Sequence, residues 1–465
     1  MQKHIAIIGG GPGGYVAAIR GAQLGAKITL IEKHKMGGNC LNYGCIPTKA
    51  LYQSASYFKS VIEMRDFGIR SGDAILDMTV MMAKKQSIVK ELVTGIEQLL
   101  KRYAIDVLEG QASFVDDKTL RISGGEIDEH FLKPDYIVIA SGSEPIMPNI
   151  KGVASSNVLT SQDLLEIETL PKSLTIVGGG VIGMEFAGIF SALGTEVTII
   201  EAMDHILSGM DSELVKRFSA GLKKQGITVH KATKALEIKR LENKFELTCQ
   251  NKKALFSVNA DQVLMAVGRK PKIGGLNLDA ADIKYTLKGI EVNEHFVTNS
   301  NHVYAIGDVI GGKMLAHVAS HQAVKAIEHM LLGEVTAKAS AVPACIFVFP
   351  EMATVGVTEE SLIAKQMTYK KSKFMMGANG KALTLGKPEG FIKVLTNMDD
   401  QVIGVHIMGA HASDLIHEAT LAVNEAMSVD TIKEMIHAHP TLSEAFHEAV
   451  LGIKGEAIHM APSKK

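Results

Sequence analysis

Two stretches of the chain share one pattern of apolar and polar positions. Residues 4–32, HIAIIGGGPGGYVAAIRGAQLGAKITLIE, align without gaps with residues 173–201, SLTIVGGGVIGMEFAGIFSALGTEVTIIE. Each opens on a short β-branched run, passes through Gly-x-Gly-x-x-Gly into a stretch of helical period, stops at Leu-Gly, and closes on a second apolar run ending in an acid. Such a sequence of periods predicts strand, helix, strand. The unit occurs twice, so an α/β protein with two Rossmann-like domains is expected. Towards the carboxy end the pattern changes. Strands are predicted around 345–357, 391–396 and 402–408, then helices around 411–427, 431–437 and 441–450, an α+β arrangement. No apolar run approaches the ~18 residues of a membrane span.

The residue types in the repeat carry a chemistry. Gly9 allows a tight turn, Gly11 lets the backbone approach a pyrophosphate, and Gly14 lets the helix pack closely on the strand. The amino end of the helix then faces the phosphates. Glu32 ends the second strand, where a carboxylate accepts hydrogen bonds from a ribose diol. Gly178, Gly180, Gly183 and Glu201 repeat the arrangement. One such motif is weak, whereas two with an acid at the same spacing specify dinucleotide binding. Glu201 repels a 2′-phosphate, and the following Ala202, Met203, Asp204 and His205 offer no Arg to receive one, so NAD is expected over NADP.

Composition narrows the class. With 465 residues, 46% of them hydrophobic and 21% charged, the chain can bury several cores as an α/β enzyme. A net charge of −1 provides no general attraction to nucleic acid or an anionic membrane. The first strand begins at about His4, leaving no room for a secretory leader, and a cytoplasmic protein or a matured form from the mitochondrial matrix is expected. Four cysteines are too few for a disulfide framework. Two of them, Cys40 and Cys45, lie in GGNCLNYGCIPTKAL, residues 37–51. Five residues of ideal helix rise ~7.5 Å, more than the ~4.4–6.8 Å a disulfide tolerates between Cα atoms. A redox pair therefore requires a local distortion, for which Gly44 supplies freedom. Pro47 suits a first helical turn, placing Cys45 near a helix amino end with Lys49 one turn on, and both favour a thiolate. Zinc and a structural pair are the competing readings. Cys249 and Cys345 lack nearby Cys or His partners for a metal and read as apolar packing.

With the first fingerprint, CLNYGCIPTK, the second fingerprint and YAIGDV at 304–309 in this order, the chain resembles the pyridine nucleotide–disulphide oxidoreductases over essentially its whole length. GGNCLNYGCIPTKAL, GDVIGGKMLAH, HAHPTLSEAFHEA and AIHM place it nearest the members that act on dihydrolipoyl groups. The resemblance implies a working Cys40–Cys45 disulfide, Cys40 exchanging with substrate and Cys45 facing a flavin. It assigns Gly9, Gly11, Gly14, Glu32, Lys49, Ala112, Asp308 and Ala316 to FAD, and Gly178, Gly180, Gly183, Glu201 and Gly268 to NAD. Lys49 and Glu185 would pair near the reactive flavin nitrogen. Asp308 as a turn residue and Glu185 as a plain helix carboxylate are the simpler readings. No metal is expected.

Disulfide exchange needs a base, and His439 with Glu444 behind it fits, since a histidine near its ordinary pKa serves at neutral pH. Thr441-Leu-Ser-Glu444 is equally a capping box, and the residues alone leave the two readings level. The resemblance favours catalysis, with His439 reaching the disulfide of a second copy in a homodimer. It further implies an FAD domain at 1–145, a NAD domain at 146–272, a central domain at 273–340 and an interface domain at 341–465. The expected substrate is lipoyl carried by the acyltransferase of a 2-oxoacid dehydrogenase complex or by a glycine cleavage carrier protein. Other disulfide reductases of the family, an NADH-dependent flavin oxidase and a structural docking subunit are the alternatives. Gln322 departs from the pattern, which has Glu there.

Overall fold

The computed structural model describes residues 2–70, 72–125, 127–333 and 340–461, with Ile127 and Asp128 described by their backbone alone. The chain divides into two compact units, the first Met1–Tyr57, Met64–Leu170 and Leu264–Lys338, the second Phe58–Glu63, Pro171–Val263 and Ala339–Lys465.

The first apolar run becomes β1 (His4–Ile8), followed by α1 (Pro12–Gln23) and β2 (Lys27–Glu32). β1 pairs in parallel with β2 on one side and with the strand Tyr136–Ile139 on the other. The five-stranded sheet is completed by Val303–Ala305 and Asp106–Glu109 at its edges. Ile5 and Ile7 point into a core with Ala17, Leu100 and Ile327, while Ala6 and Ile8 point into a second core with Phe114 and Ile122. Both faces of the sheet are thus covered, which is why its strands are continuous apolar runs. Three more helices matter to the site: α2 (Gly38–Tyr43), α3 (Cys45–Glu63) and α4 (Met78–Arg102).

In the second unit the repeat forms Ser173–Val177, the helix Val181–Ala192 and Glu196–Ile200, in a four-stranded sheet with Ile227–His230 and Gln262–Met265. An antiparallel five-stranded sheet follows, in the order Ala344–Ile346, Met352–Gly356, Val402–Met408, Phe391–Thr396, Lys370–Met375. The strand expected over 345–357 is two antiparallel strands, Cys345 opposite Ala353. The chain reverses at Phe347–Glu351, where Pro350 has no N–H for a ladder. Lys370–Met375 was not anticipated, although its alternation is legible: Ser372 and Phe374 are buried, and Lys371, Lys373 and Met375 are exposed. The last three helices run Ala412–Asn424, Val429–Lys433 and Glu444–Leu451, shifted from the expected bounds by the turn that separates the last two. Among the described residues no helix is long and apolar enough to cross a membrane.

Candidate functional site

Both fingerprints form the same cradle. A Cβ on Gly14 would lie 1.7 Å from the Gly9 carbonyl oxygen, and one on Gly183 2.1 Å from that of Gly178, so only glycine lets each helix seat on its strand. Gly9 and Gly178 turn with φ of +106° and +111°. Neither α1 nor Val181–Ala192 has a side-chain cap or an acid in its first turn, leaving backbone N–H groups for an anion. Around Gly180 a Cβ would meet nothing within 4 Å. Glu32 accepts from Gly10 N at 2.7 Å and His34 N at 2.8 Å. Glu201 accepts from Gly179 N and Met203 N, each at 2.6 Å. Each carboxylate is aimed by its own backbone with lone pairs to spare. Beside Glu32 a cavity of about 540 Å³ opens between His34, Met36, Leu100, Lys101 and Ile105. Uncapped helix ends, fixed carboxylates and this cavity fit dinucleotides.

The remaining cofactor candidates fall as follows. Ala112 is buried in the strand Gln111–Phe114, opposite Ile122. Ala316 opens the helix Ala316–Leu332, also without a side-chain cap. Asp308 stands in the turn Gly307–Ile310 and accepts from Ser143 Oγ at 2.5 Å. Ser143 in turn receives Arg269, Nε on its hydroxyl and Nη2 on its carbonyl, both at 2.8 Å. Burial pushes the Arg269 guanidinium down, opposed by Asp308, Cys45 and Glu144. Sequence reasoning missed Ser143 and Arg269, whose only signal was Arg269 directly after Gly268. Gly268, with φ of +121°, belongs to the first unit and the other four NAD candidates to the second. Gln322, the departure from the pattern, accepts from Gly307 N at 2.7 Å through its side-chain oxygen.

The helix carrying the cysteines is interrupted between them. α2 contains Cys40 and ends at Gly44 (φ −148°, ψ −107°), and Cys45 is the first residue of α3, with Pro47 in the first turn and Lys49 one turn on. Asn42 Nδ2 ties α2 to the carbonyls of Met36 and Gly38, at 2.9 and 3.0 Å. Both cysteines are half-buried. A hydrogen bond to Cys45, then burial, then charge on Cys45 push the Cys40 thiol up, against the pull of Lys49. Cys249 is buried, its thiol pushed up to about 11 by burial; Cys345 is only half-buried. Among the described residues no three His, Cys, Asp or Glu are arranged to hold a metal ion.

In the second unit His439 Nδ1 lies 2.9 Å from Glu444 Oε1, and its side chain is 77% exposed. Glu444 Oε2 accepts from Thr441 N at 2.7 Å. Only half a capping box is present: Glu444 accepts from Thr441 N, while Thr441 Oγ1 donates to the Ala438 carbonyl oxygen at 2.7 Å. One carboxylate thus does both jobs. Desolvation works against its charge, yet the Thr441 N–H and His439 hold Glu444 below the usual carboxylate range. Glu185, buried on Val181–Ala192, accepts from Phe347 N at 3.0 Å.

Comparison with known proteins gives a consistent answer. Residues 3–323 match the pyridine nucleotide-disulphide oxidoreductase family and residues 342–450 its dimerisation domain. A dihydrolipoyl dehydrogenase of Bacillus subtilis is 40% identical over 98% of this chain and 99% of its own length. The mitochondrial dihydrolipoyl dehydrogenase of Dictyostelium discoideum is 38% identical over 99% and 96%. Among solved structures, the HOCl-induced flavoprotein disulfide reductase RclA of Escherichia coli superposes with a TM-score of 0.87 at 25% identity, over 97% of this chain and 99% of that one.

Proposed function

The chain belongs to the pyridine nucleotide–disulphide oxidoreductases, enzymes that use FAD and NAD(H), and from that premise we propose that it oxidises protein-bound dihydrolipoyl groups with NAD⁺, as its relatives' names indicate. The observation that carries the reading is the helix break at Gly44, which supports a pair of sulfurs in hydrogen-bond contact with Cys45 at the start of α3.

In the proposed cycle His439, held by Glu444, takes a proton from one thiol of the substrate. The thiolate attacks Cys40 of the Cys40–Cys45 disulfide, and Cys45 leaves as thiolate. The second substrate thiol then attacks the mixed disulfide, closing the lipoyl ring and releasing Cys40, which receives the proton. Of the two substrate protons one is then on His439 and the other on Cys40; the substrate dithiol has become a disulfide and the enzyme disulfide a Cys40 thiol and a Cys45 thiolate, so atoms, charge and electrons balance. Bound FAD supplies the means of passing that electron pair to NAD⁺. Gly9, Gly11, Gly14, Glu32, Lys49, Ala112, Asp308 and Ala316 would hold FAD; Gly178, Gly180, Gly183, Glu201 and Gly268 would hold NAD. Lys49 and Glu185 would steady charge at the flavin. The exposure of His439 suits a homodimer in which it serves the partner's disulfide.

The test is turnover of dihydrolipoamide with NAD⁺. The unaltered protein should turn over, Cys45→Ser should not while keeping its flavin, and His439→Ala should lose roughly 10²–10⁴-fold. Dihydrolipoamide oxidation undiminished in either variant would remove the proposal.

A further inference from the structure

The turn that carries His439 is gripped by a second histidine. The His437 side chain is only 7% exposed. Its Nε2 lies 2.8 Å from Glu418 Oε1, on the helix Ala412–Asn424, and its Nδ1 3.3 Å from the Met435 carbonyl oxygen. The ring stacks on His447, centroids 4.5 Å apart and planes 18° from parallel. His447 belongs to the helix Glu444–Leu451, and its Nε2 lies 3.3 Å from the Lys433 carbonyl oxygen at the end of Val429–Lys433. The His437 imidazole therefore joins the turn to two helices, and His447 links the pair to a third.

The exchange chemistry proposed above has no use for this ring. Residues 434–443 form no helix or strand, so side-chain anchors must set the aim of His439. Charged groups on the elements packed against the ring include Glu444 and Glu448 on Glu444–Leu451 and Lys433 on Val429–Lys433, whose ammonium pairs with Glu456 at 2.6 Å.

We propose that His437 is a positioning residue for the exchange base, locking the turn to Glu418 and His447 so that His439 and Glu444 stay aligned. The inference rests on His439 as that base. Misdirected bases lose rate rather than substrate affinity.

Two substitutions test it in the full-length holoenzyme. His437→Phe keeps the stack and removes both ring nitrogens; His437→Gln keeps a donor for Glu418. With dihydrolipoamide and NAD⁺, His437→Phe should lower kcat about tenfold with KM nearly unchanged. Its acid limb should move to lower pH, because the His439 imidazolium loses part of the support of Glu444. His437→Gln should restore most of kcat and return the limb. A His437→Phe protein with unaltered kcat and limb would overturn the role. So would equal slowing of both variants with an unshifted limb and a lowered Tm, which is packing alone. If the unaltered protein fails to oxidise dihydrolipoamide, the functional reading falls, and this inference with it.

Discussion

A carboxylate that accepts through both oxygens is fixed in direction, and three glutamates among the candidate site residues are of that kind. Glu32 and Glu201 each take two backbone N–H groups, from the glycine loop before them and the residue two positions on. Glu444 takes one backbone N–H and one imidazole. In each, a charge-assisted hydrogen bond of about 1.5–3 kcal/mol orients the group before any ligand arrives. Removing Glu201 should therefore affect nucleotide choice: Glu201→Ala is expected to raise the KM for NADH about tenfold and narrow the preference over NADPH, measured by steady-state kinetics with both. Glu32 and Glu201 were legible because their spacing from the glycines is the signal. Glu444 was ambiguous, since it stands three residues after Thr441, as a cap requires, and five after His439, within reach of a catalytic dyad. The fold keeps both contacts on the one carboxylate, Oε2 on Thr441 N and Oε1 on His439 Nδ1, an outcome that depends on backbone direction and not on residue type.

At the scale of elements, close approach of helix to strand specifies the two nucleotide cradles. A Cβ at Gly14 would overlap the Gly9 carbonyl oxygen at 1.7 Å, so Gly14→Ala must push α1 off β1. Overpacking of this kind costs about 1–3 kcal/mol; the variant is expected to purify with less flavin per chain and a lower Tm, checked by absorbance and thermal melting. The interruption between α2 and α3 was expected in outline, because an unbroken helix separates Cys40 from Cys45 by too great a rise. The carboxy-terminal sheet was less legible. Its edge strand Lys370–Met375 carries four polar residues in six, three of them lysines, and was passed over. The apolar stretch 345–357 looked continuous and is reversed around Pro350. Helix periods spanning 10 or more residues are strong signals, whereas three- to six-residue strands depend on their neighbours.

At the scale of the whole molecule, each unit also holds ionised groups where composition would put only apolar ones. Lys85 on α4, 2% exposed, lies 3.0 Å from Glu166 in the first unit. In the second, Lys393 is 1% exposed within the all-buried strand Phe391–Thr396 and lies 2.9 Å from Asp211, itself 0% exposed, and 2.5 Å from Glu359. Against the effect of burial, hydrogen bonds from Lys371, Lys393 and Tyr369 hold Glu359 at about 2. A carboxyl depressed on folding contributes stability above its unfolded pKa, near 4.5, that fades as pH falls towards 2. Lys393→Met leaves Asp211 buried without its cation and is expected to cost about 3–5 kcal/mol at pH 7, read from urea unfolding; the acid sensitivity between pH 4.5 and 2 should shrink with it. The amino-acid sequence by itself determined the fold class, the two dinucleotide fingerprints, the paired cysteines and the His439–Glu444 spacing. All of these are local, set by periods and by residue types a few positions apart. Tertiary structure alone decided that Arg269 meets Ser143 and Ser143 meets Asp308, that His437 meets Glu418 and stacks on His447, and that Lys393 is an interior charge. Those contacts join residues far apart in the chain or set by backbone direction, and a linear pattern carries no distance between them.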